Sequence, residues 1–509
     1  MPDKQFLPKT YFCHPVTLAK GERSTPLGYF SDGVPHTKKD SFLAFYWSNS
    51  ITGARYLICT VRKSDVCQCG CKGQCTMGAV LRVIAWSFNV LATGTFPSER
   101  HDGSPLDAAR SALAGQDLAG GLAGALVEMR ADLLELTSAL GFVNWSNASK
   151  PCFLCDCNGD SLYAFPPSYD SGWRPTDMQA YSAMVASRLV VRTFNAGELA
   201  ILKTYLVFDD RKDGYAGLAL VQDVPELNMP KGLRLLEAGP VCDLHDLNNV
   251  QAPATLTFFD AGAEKILNFI CPLFGVTGFG IESLRLDVMH VFDLGILQWA
   301  IGSLLWALLL NNAWGSQRTH AELRLRDNLH GLRARMRRYY TKECKQSKNI
   351  SRIHRLTLAM LSSRAVPRLK AKAAETRHLL PLAVKLTKEF PNKLGPKGFF
   401  LTGVIDKLND IYLLMQAEPR MMSPSALGKM QDAYKICVAV WGAVGGRWFP
   451  KHHMGWHMMQ KAFSDGNPRF YHTYPDEGEH RRMGNVAKSL HAGDRLYVSF
   501  LEKVLPARK

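Results

Sequence analysis

The sequence predicts a mixed α/β fold, in which a short antiparallel sheet precedes long helical stretches. Three strand patterns rich in aromatic and β-branched residues follow one another between Leu27 and Val61, with turn-forming residues between them. Apolar residues then recur at helical spacing over 77–93 and 118–140, and again over much of 316–434. Because strand and helix patterns occupy separate stretches, the chain combines both classes of element in one α+β architecture.

A local excess of positive charge is the most informative feature of the composition. The chain has 509 residues, long enough for two or three domains, and a net charge of +16. Between Arg318 and Lys397 lie 21 basic and 5 acidic residues, whereas the rest of the chain has 40 of each. The whole excess therefore sits in one segment, which predicts a surface that binds a polyanion.

The longest apolar run, 294–310, raises the question of a membrane helix. It has 17 residues and contains Gln298 and Ser303, whereas a spanning helix needs about 20 apolar residues. The N-terminus also lacks the basic-then-apolar pattern of a signal peptide. We therefore expect a buried core helix and no membrane contact, with a membrane anchor as the alternative.

Three acidic residues in separate parts of the chain are candidates for catalysis. Asp32 follows a strand pattern, Asp287 precedes the apolar run, and Glu477 opens a helix pattern near the C-terminus. Enzymes that cut or join phosphodiesters hold two divalent cations between carboxylates from distant parts of the chain. Each residue also has a purely structural interpretation: a turn for Asp32, an N-cap for Asp287 and a helix-dipole interaction for Glu477.

The surroundings of these acids resemble transposases of CACTA-type DNA transposons. The second acid with its following apolar helix, and the stretch that leads to the helical glutamate, carry most of the similarity. The matching segments are Ser31-Asp32-Gly33, Lys150-Pro151-Cys152-Phe153-Leu154-Cys155, Leu286-Asp287-Val288-Met289-His290, Pro450-Lys451-His452-His453 with His457, and Tyr474-Pro475-Asp476-Glu477 with a helix through Ala487-Lys488-Ser489. They occur in the family's order, although 158–280 matches poorly.

The resemblance implies a ribonuclease H-like sheet core that is interrupted by insertions. Such a sheet begins with an antiparallel meander led by an acidic residue, as the strand patterns here do. The three parts of the core would be 25–66, 280–315 and 446–509, after an N-terminal tail at 1–24. The segments between them would be a helical, Cys-rich insertion at 67–160, a poorly assigned mixed insertion at 161–279 and a basic helical insertion at 316–445.

The same resemblance implies a catalytic triad of Asp32, Asp287 and Glu477 that binds two Mg²⁺ or Mn²⁺ ions. The protein would then be a DDE-type transposase, a candidate homo-oligomer that cleaves transposon ends and joins them to target DNA in the nucleus. Asp476 and Glu479 flank Glu477, so the choice of glutamate depends on the motif. The alternative is a catalytically inactive or repurposed DNA-binding protein, which the 31 residues before Asp32 favour, since they leave no room for an N-terminal DNA-binding domain.

The basic insertion is the predicted DNA-binding surface. Leu325, Leu329, Leu332, Met336 and Tyr340 form an apolar stripe at helical spacing, and neighbouring arginines fall largely outside it. Cations on such a face neutralise phosphates, although an ordinary solvated helix face carries similar charges. The candidate DNA contacts are Arg333, Arg335, Arg337, Arg338, Lys342, Lys370 and Lys372.

Seven of the thirteen cysteines form two groups that predict a structural zinc site. One group is Cys67, Cys69, Cys71 and Cys75, and the other is Cys152, Cys155 and Cys157. Tetrahedral zinc needs four thiolate or imidazole ligands, and each group has spacing short enough to donate two. The predicted ligands are Cys67, Cys71, Cys152 and Cys155, with reduced, metal-free cysteines as the alternative.

A histidine pair later in the chain does not complete a zinc-protease motif. His453 and His457 stand four residues apart on a helix pattern, but no glutamate lies between them as His-Glu-x-x-His requires. We expect this helix to pack behind the acidic site, with one histidine near the scissile phosphate.

Overall fold

One five-stranded mixed sheet and a large set of helices form the described part of the chain in the computed structural model, in agreement with the predicted mixed α/β class. The structure describes residues 7–35, 41–67, 73–132, 135–136, 140–142, 151–164, 173–181, 270–347 and 349–488, together with short strands between 191 and 260. Most of the predicted insertion at 161–279 lies outside these residues.

The sheet begins with the predicted antiparallel meander. Strands β1 (Ser24–Pro35), β2 (Ser41–Asn49) and β3 (Arg55–Arg62) pair in sequence order, and β4 (Ala123–Ala131) joins the other side of β1 in parallel. Strand β5 (Leu284–Leu286) lies parallel to β4, so the order across the sheet is β5-β4-β1-β2-β3. The carboxyl ends of β1, β4 and β5 therefore meet at the same edge of the sheet.

Strand β4 corrects one predicted element. The expected helix over 118–140 is wrong, because Ala123–Ala131 is a strand in which every residue is buried. Its Ala, Leu, Glu, Met and Arg residues favour a helix by composition, but a central strand between two partners buries both of its faces. Tertiary burial overrides local preference here, and the strand lies inside the segment 67–160 that the sequence assigns to an insertion.

The longer helices of the described residues are α1 (Gln74–Thr93), α2 (Leu297–Leu310), α3 (Ala321–Arg338), α4 (Ala373–Glu389), α5 (Gly398–Ala417), α6 (Pro424–Val444), α7 (Pro450–Asp465) and α8 (Tyr474–Lys488). Two π-helical segments, Met289–Ile296 and Tyr339–Glu343, precede α2 and follow α3. Shorter elements include the helices Lys9–Phe12, Pro15–Lys20 and Ala108–Ser111, the 3₁₀ turns Pro272–Gly275, Ile281–Ser283, Leu358–Leu361 and Pro468–Phe470, and the strand pair Ser362–Ser363 and Val366–Pro367.

Each face of the sheet packs against a different helix. Helix α1 covers the face that includes Tyr29 and Met129, which belong to the largest apolar core. The opposite face includes Phe30 and Tyr46, and these pack with Met483 of α8 in a smaller core. The C-terminal helix therefore lies on the face of β1 that carries Phe30 and, two residues later, Asp32.

Helix α2 is the apolar run that raises the membrane question. By length and composition, α1 and Met289–Leu310 are both apolar enough to span a membrane. In the structure, α2 packs against α3, α4 and α5, and 67% of the apolar window of Met289–Leu310 is buried inside the protein. Gly302 lets residues 367–369 approach closely, since a Cβ there would lie 2.5 Å from the Pro367 carbonyl oxygen. The run thus has the environment expected of a core helix.

Leu304→Ala should lower the free energy of unfolding by about 2–5 kcal/mol, because it removes a fully buried side chain from the middle of α2 and leaves a cavity. Leu310→Ala, at the exposed end of the same helix, is the matched control and should change stability by about 0.5 kcal/mol or less. Urea unfolding followed by circular dichroism measures both. Equal losses in the two variants would contradict the buried position of Leu304.

Candidate functional site: an acidic sheet edge and a cysteine–histidine cluster

Strand register places three aspartates side by side at one edge of the sheet. Phe30 of β1 pairs with Arg130 of β4, and Arg130 pairs with Arg285 of β5. Two residues after these partners stand Asp32, Asp132 and Asp287. Asp32 shares the face of Phe30, because side chains two apart along a strand lie on one face. Asp132 and Asp287 directly follow β4 and β5 and therefore lie at the same edge of the sheet.

Other carboxylates surround Asp32. It is half-buried within β1, and its Oδ1 accepts the backbone N–H of Gly33 at 2.6 Å. The pKa of Asp32 is raised to about 7, first by burial and then by the negative charges of Asp132, Glu477 and Glu135. A cation placed beside such a carboxyl group would stabilise its charged form and lower its pKa.

Asp287 is held by hydrogen bonds on both carboxylate oxygens. Oδ1 accepts the backbone N–H groups of Met289 at 3.1 Å and Thr473 at 2.9 Å. Oδ2 accepts the N–H of His290 at 3.0 Å, the ring Nδ1–H of His290 at 2.5 Å and the hydroxyl of Thr473 at 2.8 Å. These donors fill the roughly four lone-pair positions of a carboxylate. Asp287 therefore caps Met289–Ile296, so the structural interpretation of this residue applies.

The same hydrogen bonds set the charge of Asp287. Burial by itself raises the pKa of this carboxyl, but the bonds from His290 and Thr473 leave it below its ordinary value. Asp287 is therefore ionised at neutral pH inside the protein.

Two basic side chains lie beside the acidic edge. Burial alone lowers the pKa of His290, yet the bond to Asp287 and the charges of Asp132 and Glu477 raise it above its ordinary value. Burial lowers the pKa of Lys451 in α7 to about 8, against the raising effect of Asp132 and Asp287. Both groups are therefore close enough to the carboxylates to interact with them electrostatically.

Buried ion pairs of Asp476, the residue before Glu477, orient helix α8. The carboxylate of Asp476 is 2.6 Å from Arg55 Nε and 3.4 Å from Arg130 Nη1. These contacts fix α8 with Asp476 facing the sheet, and the next residue lies about 100° further around the helix. Glu477 is half-buried there, and its pKa is raised by burial and by nearby carboxylates that include Asp132.

Glu479 takes a different position from Glu477. Its Oε2 accepts a hydrogen bond from Arg482 Nε at 2.9 Å; the Arg482 side chain is exposed and that of Glu479 is half-buried. Of the three acids at the start of α8, Asp476 is paired with sheet arginines and Glu479 with an arginine of its own helix. Glu477 is the one that interacts with the aspartates of the sheet edge.

Asp132 is the acidic residue that the sequence did not predict. It directly follows β4, is half-buried, and accepts the backbone N–H of Glu135 on Oδ1 at 2.7 Å. The available signal in the sequence was an aspartate directly after a largely apolar stretch. It was missed because 118–140 was interpreted as a helix, in which Asp132 would have been an ordinary polar position.

The start of α8 is also held by the helical part of the protein. The hydroxyl of Tyr474 donates to Oδ2 of Asp293 at 2.7 Å, and the hydroxyl of Tyr412 in α5 donates to the other oxygen. The guanidinium of Arg377 in α4 lies over the ring of Tyr474, 4.9 Å from its centroid. Elements on either side of the basic segment therefore meet at the first residue of the helix that carries Glu477.

No protein-family model matches the chain. A search of the curated proteins also finds no match. The resemblance to CACTA-type transposases therefore stays a hypothesis that depends on the matching motifs and on the geometry of the acidic edge.

Three cysteines and a histidine form a buried cluster that could hold a metal ion. The ligand atoms of Cys152, Cys155, Cys157 and His453 all lie within 4.8 Å of one another. His453 Nε2 is 3.3 Å from Cys155 Sγ and 3.6 Å from Cys157 Sγ. Three thiols and one imidazole form a Cys₃His ligand set, which is one of the sets that structural zinc sites use.

The protonation of the cluster suits a metal cation. Hydrogen bonds from Cys152 lower the pKa of Cys155 and lower that of Cys157 to about 5, whereas burial raises the pKa of Cys152 itself. Thiolates are the form that binds metals. His453 Nδ1 lies 3.0 Å from the Leu162 carbonyl oxygen, which can only accept, so Nδ1 carries the proton and the Nε2 lone pair faces the sulfurs.

The cluster joins the Cys-rich loop to α7. His457 Nε2 is 3.0 Å from His453 Nε2 and 3.3 Å from Cys155 Sγ. The indole of Trp173 packs on the other side of His453, with ring centroids 4.2 Å apart. The histidines of α7 thus contact the cysteines, a role that the sequence did not predict, although their i, i+4 spacing was the available signal.

Two of the four predicted zinc ligands belong to this cluster. Cys152 and Cys155 are members, and Cys157 and His453 are the other two. Cys67 is described but is not among the ligand atoms of the group, and its backbone N–H donates to Thr76 Oγ1 at 2.9 Å. The fourth predicted ligand, Cys71, lies outside the described residues.

The predicted DNA-contact cations differ in their surroundings. Arg335 forms ion pairs with Glu389 at 2.5 Å and Glu343 at 2.8 Å, so much of its charge is neutralised within the protein. Arg333 donates from Nε to the Leu356 carbonyl oxygen at 2.7 Å. The predicted cations that are exposed are Arg337, Arg338, Lys342, Lys370 and Lys372.

Asp476→Asn should destabilise the protein by about 3 kcal/mol, near the lower end of the cost of removing one partner from a buried ion pair. Arg55 and Arg130 would keep their charges without this carboxylate, although Glu128 still lies 4.0 Å from Arg130. Glu479→Gln, three residues later on the exposed side of α8, is the matched control and should leave stability nearly unchanged. Thermal unfolding measures both, and an Asp476→Asn variant as stable as the control would contradict the proposed anchoring of α8.

Proposed function

We propose that the protein is a metal-dependent polynucleotidyl transferase of the DDE transposase type. The features that support this proposal are the strand register, which brings Asp32, Asp132 and Asp287 to one edge of the sheet, and the electrostatic interaction of Glu477 with Asp32. Carboxylates from four distant segments repel one another in a half-buried site unless cations are present. Divalent cations that act on phosphodiesters are the usual occupants of such oxygen-rich sites.

We further propose that the five-stranded sheet is a ribonuclease H-like core. The sheet begins with an antiparallel meander, and its first strand carries Asp32. A long helical region that contains the basic segment separates β5 from α8, where the resemblance implies an insertion before the glutamate. Both features support this fold assignment.

The metal ligands we propose are Asp32, Asp132 and Glu477. All three are half-buried side chains that interact electrostatically with one another. Both oxygens of Asp287 accept several hydrogen bonds from the protein, so this residue would orient His290 at the edge of the site. The proposal therefore puts Asp132 in the place that the predicted triad gives to Asp287.

The catalytic chemistry would depend on the ions together with the charged groups around them. Bound Mg²⁺ or Mn²⁺ would activate the attacking hydroxyl and stabilise the leaving oxygen of the phosphodiester. His290 and Lys451 would keep positive charge beside the phosphate without occupying a ligand position. Exposed cations of the segment 318–397 would bind DNA backbone phosphates, so affinity should fall steeply as salt rises. The substrates would be transposon ends and target DNA in the nucleus, with a homo-oligomer as the working assembly.

A structural Zn²⁺ ion is the cofactor we propose for the Cys₃His cluster. Its four side chains are buried, and the tautomer of His453 directs Nε2 toward the thiols. Zinc bound there would connect the loop at 152–157 to α7, which also carries Lys451. The ion would support the fold and take no part in phosphodiester chemistry.

A second candidate function is DNA binding without catalysis. It is favoured by the hydrogen bonding of Asp287, because one member of the predicted triad has the environment of a purely structural residue. In this case the protein would be a repurposed or inactive relative of a transposase. It would bind DNA through the basic segment and cleave nothing in the presence of Mg²⁺ or Mn²⁺.

Asp32→Asn, Asp132→Asn and Glu477→Gln should each reduce metal-dependent DNA cleavage by about 100-fold or more, because each removes a charge that holds the ions. DNA binding in the absence of divalent metal should persist, since none of the three belongs to the basic segment. Plasmid cleavage in Mg²⁺ or Mn²⁺ and fluorescence anisotropy with labelled DNA measure the two properties.

Two further variants sharpen this test. Glu479→Gln removes an acid of the same helix that is paired with Arg482 and should cleave like the unchanged protein. If Asp132→Asn cleaves normally and Asp287→Asn does not, the ligand set is Asp32, Asp287 and Glu477 instead. If the unchanged protein binds DNA but cleaves in neither metal, the non-catalytic function is correct.

Purified protein should contain about one zinc ion per chain, bound by the Cys₃His cluster. Cys155→Ser and His453→Gln should each lose most of this zinc and melt at a lower temperature, because metal binding contributes to folding. Cys13→Ser, which removes an exposed thiol outside the cluster, is the matched control and should keep the metal. Mass spectrometry for metals together with thermal unfolding measures these outcomes, and full zinc content in Cys155→Ser would contradict the assignment.

A further inference from the structure

A pocket of about 430 Å³ lies between α3 and the segment 352–356, separate from both centres described above. Its walls combine one face of α3 with the chain that follows the second π-helical segment. The basic side chains that line it are His330, Arg333, Arg337, Arg352, His354 and Arg355. Among the described lining residues there is no Asp or Glu.

The pocket is a built feature of the fold. His330, Arg333 and Arg337 stand at helical spacing on one face of α3, while Leu329 and Leu332 of the same helix are buried in the core and do not line the pocket. This arrangement directs the cationic face of the helix away from the core and toward the opposite wall.

Two polar contacts hold that opposite wall in place. Arg333 Nε donates to the Leu356 carbonyl oxygen at 2.7 Å. The Tyr340 hydroxyl lies 3.5 Å from the backbone N of Ile353, and the Arg352 guanidinium lies 6.0 Å from the centre of the Tyr340 ring. The two walls are therefore fixed relative to each other in the absence of a ligand.

The pocket arginines differ in their surroundings from Arg335, an arginine of the same helix that does not line the pocket. Arg335 lies outside the lining, and Glu343 and Glu389 neutralise it. The four arginines of the pocket face a common space in which no carboxylate of the lining opposes them. Arginine binds phosphate through paired N–H donors, and several arginines around one concave site favour a multiply charged anion.

We propose that this pocket is a phosphate-binding site, occupied by backbone phosphates when the protein binds DNA. The assignment of DNA as the source of the phosphate depends on the proposed function, whereas the phosphate chemistry depends only on the pocket. A volume of about 430 Å³ exceeds a single phosphate and accommodates consecutive phosphate groups. The pocket would then hold one part of the DNA backbone while another part lies at the acidic sheet edge.

The test compares two double variants of the full chain. Arg337→Gln with Arg355→Gln removes two pocket arginines, and Arg326→Gln with Arg364→Gln removes two exposed arginines of the same basic segment that do not line the pocket. In isothermal titration with inorganic tripolyphosphate, the dissociation constant of the pocket variant should be about 10-fold higher or more, because charge-assisted bonds to two guanidinium groups are lost. The control variant should bind tripolyphosphate like the unchanged protein.

A second measurement identifies the source of the phosphate. Anisotropy with a labelled DNA duplex should show weaker binding in the pocket variant than in the control, and tripolyphosphate should compete with the duplex. Equal DNA binding by the two variants, with tripolyphosphate binding lost only in the pocket variant, would support the phosphate site and assign it to a small soluble polyphosphate.

Equal loss of tripolyphosphate binding in both variants, or no binding by the unchanged protein, would contradict the assignment of this pocket as a phosphate-binding site. Metal-dependent DNA cleavage by the unchanged protein, measured alongside, keeps this result separate from a failure of the proposed function.

Discussion

The buried ion pairs of Asp476 determine where the acidic site can form. Arg55 approaches this carboxylate from β3 and Arg130 from β4, so the two contacts fix both the rotation and the position of α8 on the sheet. Apolar packing around Met483 buries the helix but is not directional, whereas the hydrogen bond from Arg55 Nε to Asp476 is, and the charge of Arg130 lies 3.4 Å from the same carboxylate. With Asp476 held against the sheet, Glu477 is brought to the edge where β1, β4 and β5 end. The position of Glu477 relative to the aspartates of the sheet edge depends on this orientation.

Similar buried pairs attach α7 and the connection between α5 and α6 to the same sheet. Glu128 of β4 lies 2.9 Å from Arg420, which connects α5 to α6, and 4.0 Å from Arg130. Arg285 of β5, whose side chain is fully buried, lies 2.9 Å from Asp465 at the end of α7. A site built from segments far apart in sequence needs such contacts, because apolar surfaces alone allow the helices to slide relative to the sheet. Replacing one partner would leave a buried charge uncompensated, which makes these positions costly to change.

The sequence predicts the elements whose patterns are local and misses those that tertiary contacts decide. The antiparallel meander and the helices α7 and α8 have clear periodicity, and the structure has them at the predicted positions. Strand β4 has a helix-favouring composition and is a strand only because it lies between two partners, so Asp132 at its end was missed with it. His453 was visible as half of a spaced pair, but its partner Cys155 is 298 residues away. The sequence selected Glu477 over Asp476 and Glu479 by the motif alone, and the ion pairs of Asp476, which no local pattern reveals, support that choice.

Helix α7 contributes a side chain to each of the two candidate centres, the Cys₃His cluster and the acidic edge. His453 contacts the cysteines, and two residues earlier Lys451 lies within electrostatic range of Asp132 and Asp287. A zinc ion in the cluster would fix the helix at that point, and so would fix Lys451 beside the carboxylates. The two centres would also keep different metals, because thiolate and imidazole ligands select zinc whereas carboxylates suit magnesium or manganese. Under the proposed function, a structural and a catalytic ion would therefore occupy separate sites, since the chemistry of each ligand set would determine its occupant.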